Sequence, residues 1–284
     1  MFGRYCLFLA LVLALLATRA SAEPVRLEPG VEFLRLSNAA RYLIDPQGTQ
    51  EFAAIQRDDT HWQTVESAFP SFGFTRDTLW LKLELHNAAP QPSEYVLQVE
   101  YPLLDHVTFF YPDASAPDGY HRVVTGDQKP FRERILHDRH FSFPVHAPPN
   151  QTVTVYLRLQ STDTLIAPLI LFTKSAYEEA QRIETMFFGM YYGAIIAILF
   201  INSFLFFFLR QKAQIFFVAL LATYGLMELS LNGTGMVFVW GDHPVLAKQI
   251  RPFVIGCLAI LSMQLTKAYF GARSIRLLGW NLEY

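Results

Sequence analysis

The chain has 284 residues, 52% hydrophobic and only 17% charged, with a formal net charge of −2. A soluble chain of this size carries about 25% charged residues, and the shortfall here falls at the N-terminus and after residue 185. The near-neutral balance, without a basic run, excludes a nucleic-acid binder read from charge.

Residues 1–22 have the form of a secretory signal peptide. Arg4 supplies the positive region, Cys6–Ala17 the apolar stretch, and Ala20-Ser21-Ala22 a small-x-small site with cleavage expected after Ala22. An uncleaved anchor is the alternative. Cys6 leaves with that segment and Cys257 falls in an apolar stretch, so the exported part has no disulfide and relies on its core.

Short strands separated by turn residues follow. Val31–Leu36 alternates; Phe52–Ile55 with Asp58, Asp59 and Trp62 reads as a short helix or turn. From Thr78 the period is two, with Leu79, Leu81, Leu83 and Leu85 on one face and Trp80, Lys82, Glu84 and His86 on the other. Further strands are expected at 95–100, 107–111 and 121–124, at Phe141 and Phe143 up to Pro144, at 153–159 and at 168–172. Many short strands with Pro, Gly and Asn turns predict an all-β jelly roll or β-sandwich over residues 23–177.

Residues 175–184 read as a helical lead-in to an all-α transmembrane region, 178–284. Residues 186–209 run without a charge, long enough for a hydrocarbon core of about 30 Å. Two more spans are expected at about 215–239 and 252–270. With the first domain outside, Arg210, Lys212, Lys267, Arg273 and Arg276 fall inside, as the positive-inside rule requires; Lys248 and Arg251 fall outside, against it.

The order and spacing of several stretches resemble one family. They are Phe69–Thr75 (FPSFGFT) with Leu79–Leu83 (LWLKL) and Asn87; Glu100–Asp105 (EYPLLD); Gly126-Asp127 with Pro130, Phe131, Arg132 and Arg134; and Tyr156–Ser161 (YLRLQS). Gly189, Tyr191, Tyr192, Gly193 and Asn202, then Asn232-Gly233, carry the likeness into the membrane. Together they resemble the bacterial 7TMR-DISM receptors, with a type-2 extracellular sensor domain (DISMED2) before the first part of the seven-helix domain. The resemblance implies a periplasmic sensor domain, similar to carbohydrate-binding jelly rolls, on a bacterial inner-membrane receptor. The family has seven helices and then a cytoplasmic output module, whereas this chain reaches three spans by Tyr284. The expectation is a truncated receptor whose output lies outside this polypeptide, on a signalling partner; a membrane-tethered binding or scaffold protein is the alternative.

Candidate residues follow from residue type. In the run 131–141, arginines beside aromatics suit sugar hydroxyls or anions, which makes Arg132 and Arg134 ligand candidates; the other reading is a solvated strand face. Trp80 is either a stacking platform or core between two sheets. Tyr101 and Asp105 flank a turn, where Asp105 contacts ligand or caps the turn. Arg158 contacts ligand or pairs with Glu84 or Glu100. Glu228 and Asn232 are candidates for coupling at membrane depth. No metal is expected, since Asp58, Asp59, His61, Asp77 and Asp127 lack calcium-loop spacing and His137 and His140 lack a zinc set. No cofactor is expected, and no G-x-S-x-G, P-loop or H-E-x-x-H occurs, so no enzyme is expected. The expected partners are a small, carbohydrate-like ligand and the lipid bilayer.

Overall fold

The computed structural model of the chain describes residues 23–58 and 60–270. The signal-peptide expectation and the residues from 271 onward lie outside them.

Thirteen strands are built between Val25 and Thr173. They are β1 (Val25–Leu27), β2 (Phe33–Arg35), β3 (Arg41–Asp45), β4 (Gln63–Thr64), β5 (Ser71–Phe74), β6 (Thr78–Asn87), β7 (Ser93–Val99), β8 (His106–Pro112), β9 (Tyr120–Thr125), β10 (Phe141–Ala147), β11 (Thr152–Gln160), β12 (Thr164–Ile166) and β13 (Leu169–Thr173). One sheet runs β4-β3-β6-β11-β8-β9, with β1 parallel to the far end of β6; the other runs β10-β7-β13-β2; β12 and β5 form a small third pair. The two main sheets pack as a β-sandwich.

Alternation explains the core. Leu79, Leu81, Leu83 and Leu85 point between the sheets, where they meet Leu97, Val99, Phe141, Phe143, Leu169 and Leu171. Val155, Leu157 and Leu159 of β11 join them, with Leu157 opposite both Leu81 and Phe109. Each such side chain contributes about 1.5–3 kcal/mol on burial.

The second face of β6 is also covered. The helix α1 (Phe52–Arg57) lays Phe52 and Ile55 over Leu43, Trp80, Phe110 and Tyr156. Phe52 stacks on Phe110 with centroids 4.0 Å apart. β10 continues through Pro144, where the sequence pattern stops it. It is an edge strand, so the missing N–H of Pro144 faces no further strand.

Among the described residues four helices follow: α2 (Lys174–Leu209), α3 (Lys212–Leu231), the short α4 (Thr234–Phe238) and α5 (Pro244–Phe270). Three are long and apolar enough to cross a membrane. At 1.5 Å per residue α2 is about 54 Å long, more than a bilayer needs, and its first turns pack beside the second sheet through the buried Tyr177. α3 ends at Leu231, short of the expected 239. Asn232 closes it, Gly233 turns the chain at φ +80°, and α4 begins.

Candidate functional site

The lower end of the sandwich, where it meets the helices, is built from three connections: residues 100–105, 126–140 and 161–163. Gly126 sits at φ +153°, and a Cβ there would overlap the Asp105 carbonyl oxygen, so only glycine lets these two connections touch. Opposite them stand the α3–α4 corner and the first two turns of α5.

Two cations on α5 reach up. Lys248 Nζ lies 2.9 Å from Asp105 Oδ1 and 2.8 Å from Thr162 Oγ1. Arg251 spans two carboxylates, with Nη2 at 2.8 Å from Asp127 Oδ2 and Nη1 at 2.9 Å from Asp163 Oδ2. Asp105 is 2% exposed and also accepts the Thr162 amide at 2.8 Å. Burial pushes its carboxyl up, but Lys248 and the Thr162 hydroxyl and amide outweigh that and hold it near 2. Asp127 goes the other way. Burial, against the pull of Arg251, pushes it up to about 6, and its Oδ1 is buried with no hydrogen-bond partner.

A second set of contacts reaches α2 and α3. Arg139 donates to the Asn232 carbonyl at 2.7 Å and pairs with Glu184 of α2. Asn232 Nδ2 donates to the Tyr192 hydroxyl at 2.7 Å, and its Oδ1 accepts the Thr234 amide at 3.0 Å. The Phe131 amide donates to the Gly241 carbonyl at 2.8 Å. Gly233 lies against Pro102, where a Cβ would come within 2.6 Å of the proline ring.

Arg134 supports this loop from inside. Its Nη1 donates to the carbonyls of Asp138, Arg139 and His140 at 2.7, 3.0 and 3.3 Å, while its guanidinium lies over the rings of Phe131 and Phe141. Burial lowers it to about 10, which leaves it charged at neutral pH. Asp138 accepts from Gln98, Ser142 and Tyr177. Burial lowers the pKa of His140, keeping its ring neutral. Asp138, His140 and Glu184 could together offer three metal ligands. The Asp138 donors and the Arg139–Glu184 pair account for both carboxylates without an ion. Beside this loop, a cavity of about 680 Å³ opens between α2 and α3, lined by Arg139, Glu184, Phe188, Tyr192, Ile195 and Leu226 among others.

The residues singled out in the sequence therefore separate into two places. Tyr101, Asp105, Arg132, Arg134 and Asn232 come together at the junction. Tyr101 is half-buried beside Pro102, and Arg132 is exposed with its guanidinium 3.7 Å from Asp242. Glu228 lies one turn below, its carbonyl accepting the Asn232 amide at 3.0 Å. Trp80 and Arg158 lie on the outer face of the large sheet. Trp80 is 1% exposed under α1, and Arg158 lies over its ring while donating to the Gly48 carbonyl at 3.2 Å. The expected pairing of Arg158 with Glu84 or Glu100 is not made: Lys82 takes Glu84 and Arg35 takes Glu100.

Sequence reasoning missed Lys248, Arg251, Arg139, Glu184 and Asp163. A signal for the first two was present. They stood on the wrong side of the membrane for the positive-inside rule, and the structure supplies the reason: each neutralises a carboxylate of the sandwich.

Two family models match the chain. The one described as 7TMR-DISM extracellular 2 covers residues 37–173, and the one described as 7TM diverse intracellular signalling covers residues 184–282. No curated protein matches it in sequence. Solved structures to which it is similar include a Bacillus thuringiensis Cry1Da tryptic core variant, at 14% identity over 53% of this chain and 24% of that one, TM-score 0.27. The Ruminococcus gnavus beta-glucuronidase shows 11% identity over 55% of this chain and 31% of that one, TM-score 0.32. TmCBM61, in complex with beta-1,4-galactotriose, shows 7% identity over 51% of this chain and 100% of that one, TM-score 0.28. The chain's match takes in less than a third of the first two proteins, and nothing that any of the three binds or does passes to it.

Proposed function

The chain belongs to the 7TMR-DISM family of membrane receptors, and we propose that its sandwich senses a small ligand in the periplasm and passes the event to the helices across the polar junction. The observation that carries this reading is the pair of α5 cations, Lys248 and Arg251, bound to Asp105, Asp127 and Asp163 on three different connections of the sandwich. A change in the relative position of any two of those connections alters the ion pairs on α5. A ligand shifts such an equilibrium only by binding one arrangement more tightly than the other.

The ligand class proposed is carbohydrate-like, on the strength of the family resemblance, and the membrane is the bacterial inner membrane. The sandwich and the three long helices are proposed to bind and transmit, with no catalytic step assigned to them. A membrane-tethered binding protein without coupling is the competing reading.

Hydrogen exchange separates the two. The full chain in lipid nanodiscs is melted against a panel of neutral and acidic oligosaccharides, and exchange is followed with and without the sugar that raises the melting temperature. A folded-state ligand at a hundredfold excess over Kd adds about 2.7 kcal/mol. Coupling requires changed exchange at residues 126–128, 162–163 and 245–251. A saturable thermal shift with unchanged exchange there supports the tethered binder. No shift with any sugar rejects the carbohydrate assignment.

A further inference from the structure

The end of the sandwich that faces the helices carries apolar side chains that the junction leaves unused. β5 and β12 lie across that end as a two-stranded sheet. Its inward side closes the core, with Leu165 fully buried and Phe72 packed against it. Gly73, at φ +73°, breaks the alternation of β5, so Phe74 does not follow Phe72 inward and is 84% exposed. Phe69, just before β5, is 60% exposed, and Ile44 at the lower end of β3 is 46% exposed. The Arg35 guanidinium lies 5.0 Å from the centroid of the Phe69 ring, and contiguous exposed apolar surface such as Phe74 and Ile44 present marks a place that meets something apolar.

The register gives their height. Phe74 is paired with Thr164, the residue after Asp163, and the Asp163 carboxylate holds Arg251. Arg251 precedes Pro252 and Phe253, where the apolar run of α5 begins, and Phe253 is itself exposed. One strand residue and one cross-strand step total under about 10 Å, so Phe74 lies beside Asp163, the carboxylate that Arg251 reaches from the start of the apolar run of α5. The strand order gives the lateral position. Thr162, just past the end of β11, stands over Lys248 through its hydroxyl, while β6 and β3 are successive neighbours outward from β11, each about 4.8 Å farther on. Ile44, Phe72 and Thr75 line one small pocket at that outer corner. Arg76, two residues after Phe74, is exposed and adds a cation beside this apolar corner.

We propose that Phe74, with Phe69 and Ile44, inserts into the interfacial layer of the outer leaflet of the bilayer that the helices span. The sandwich then rests on two supports, the ion pairs on α5 and a lipid foothold to one side. Its tilt relative to the helices depends on both.

The test places nitroxide labels in the full chain, with Cys6→Ser and Cys257→Ser, in nanodiscs of phosphatidylethanolamine and phosphatidylglycerol. Labels are introduced by Phe74→Cys and, separately, Phe69→Cys; both rings are exposed, so neither change removes a core contact. Ile260→Cys within α5 reports the membrane interior, and Ser115→Cys in the loop at the opposite end of the sandwich reports water. The result expected is an oxygen-to-nickel accessibility ratio at positions 74 and 69 several-fold above that at 115 and shifted toward that at 260. Ratios equal to that at 115 overturn the proposal. Labels shielded from both oxygen and nickel also overturn it, because they place protein, not lipid, against the patch.

Discussion

Arg251, on the third long helix, holds the carboxylate of Asp127 at 2.8 Å although the two residues stand 124 positions apart. Both side chains are nearly buried. The same guanidinium takes Asp163 at 2.9 Å on its other nitrogen, so one planar fork joins two connections of the sandwich to one helix. The bidentate geometry is what arginine supplies and lysine cannot.

Replacing Arg251 by Met leaves Asp127 buried and without its partner. Removing one side of a buried pair costs about 3–5 kcal/mol. In nanodiscs, Arg251→Met is expected to speed hydrogen exchange at residues 126–128 and 162–163 at least tenfold, with exchange in β6 and β11 unchanged. Unaltered protection at the junction would show that the pair holds nothing together.

Asp127 predicts a pH dependence of definite sign. Its ordinary value is 3.8 and its folded value about 6. Between these the folded chain keeps a proton that the unfolded chain has lost, so this group favours the folded, docked state most at the acidic end and less as pH rises through 6. The melting temperature of the wild type relative to Asp127→Asn is therefore expected to rise from pH 7.5 to pH 5. Asp105, held near 2, acts oppositely. Its contribution is present above 3.8 and is lost as pH falls toward 2. A difference between wild type and Asp127→Asn that stays constant from pH 7.5 to 5 would rule out a raised value for Asp127.

Gly126 is expected to tolerate no side chain. In Gly126→Ala the added Cβ meets the Asp105 carbonyl, and φ +153° is strained for any L-residue. A loss of about 1–3 kcal/mol is expected, read as a lower denaturation midpoint. Gly119→Ala is the control, at φ +73° in the opposite loop with open space around it; it carries the backbone cost alone. Equal losses in the two variants would mean that the close approach to Asp105 contributes nothing.

Trp80 separates a binding role from a packing role. It is buried with its ring 6.1 Å from Phe52 and 5.5 Å from Phe110. Trp80→Ala is expected to cost about 3–5 kcal/mol. Trp80→Phe keeps most of the stack and removes an indole N–H that has no partner, so its cost is expected to stay below about 1.5 kcal/mol. Wild-type melting in Trp80→Ala would move this residue out of the core.

The sequence by itself determined the sandwich and the three apolar helices, because both rest on local periodicity. Leucines every second residue from 79 to 85 have one buried face in any pairing, and a charge-free run from 186 to 209 has one solvent. It also marked Trp80, Tyr101, Asp105, Arg132, Arg134 and Arg158 as ligand candidates, and Glu228 and Asn232 as coupling candidates. Only the tertiary structure decided what they are set against. Trp80 stood on the face that alternation assigns to water, and it is buried because α1, some two dozen residues earlier, folds over it. The cations that pair with Asp105, Asp127 and Asp163 were not visible in the sequence of their own domain. The charges that answer them, Lys248 and Arg251, lie beyond two membrane-crossing helices. Periodicity reports what a residue's own strand or helix buries, whereas an ion pair depends on how the chain returns, and here it returns from the membrane to the underside of the sandwich.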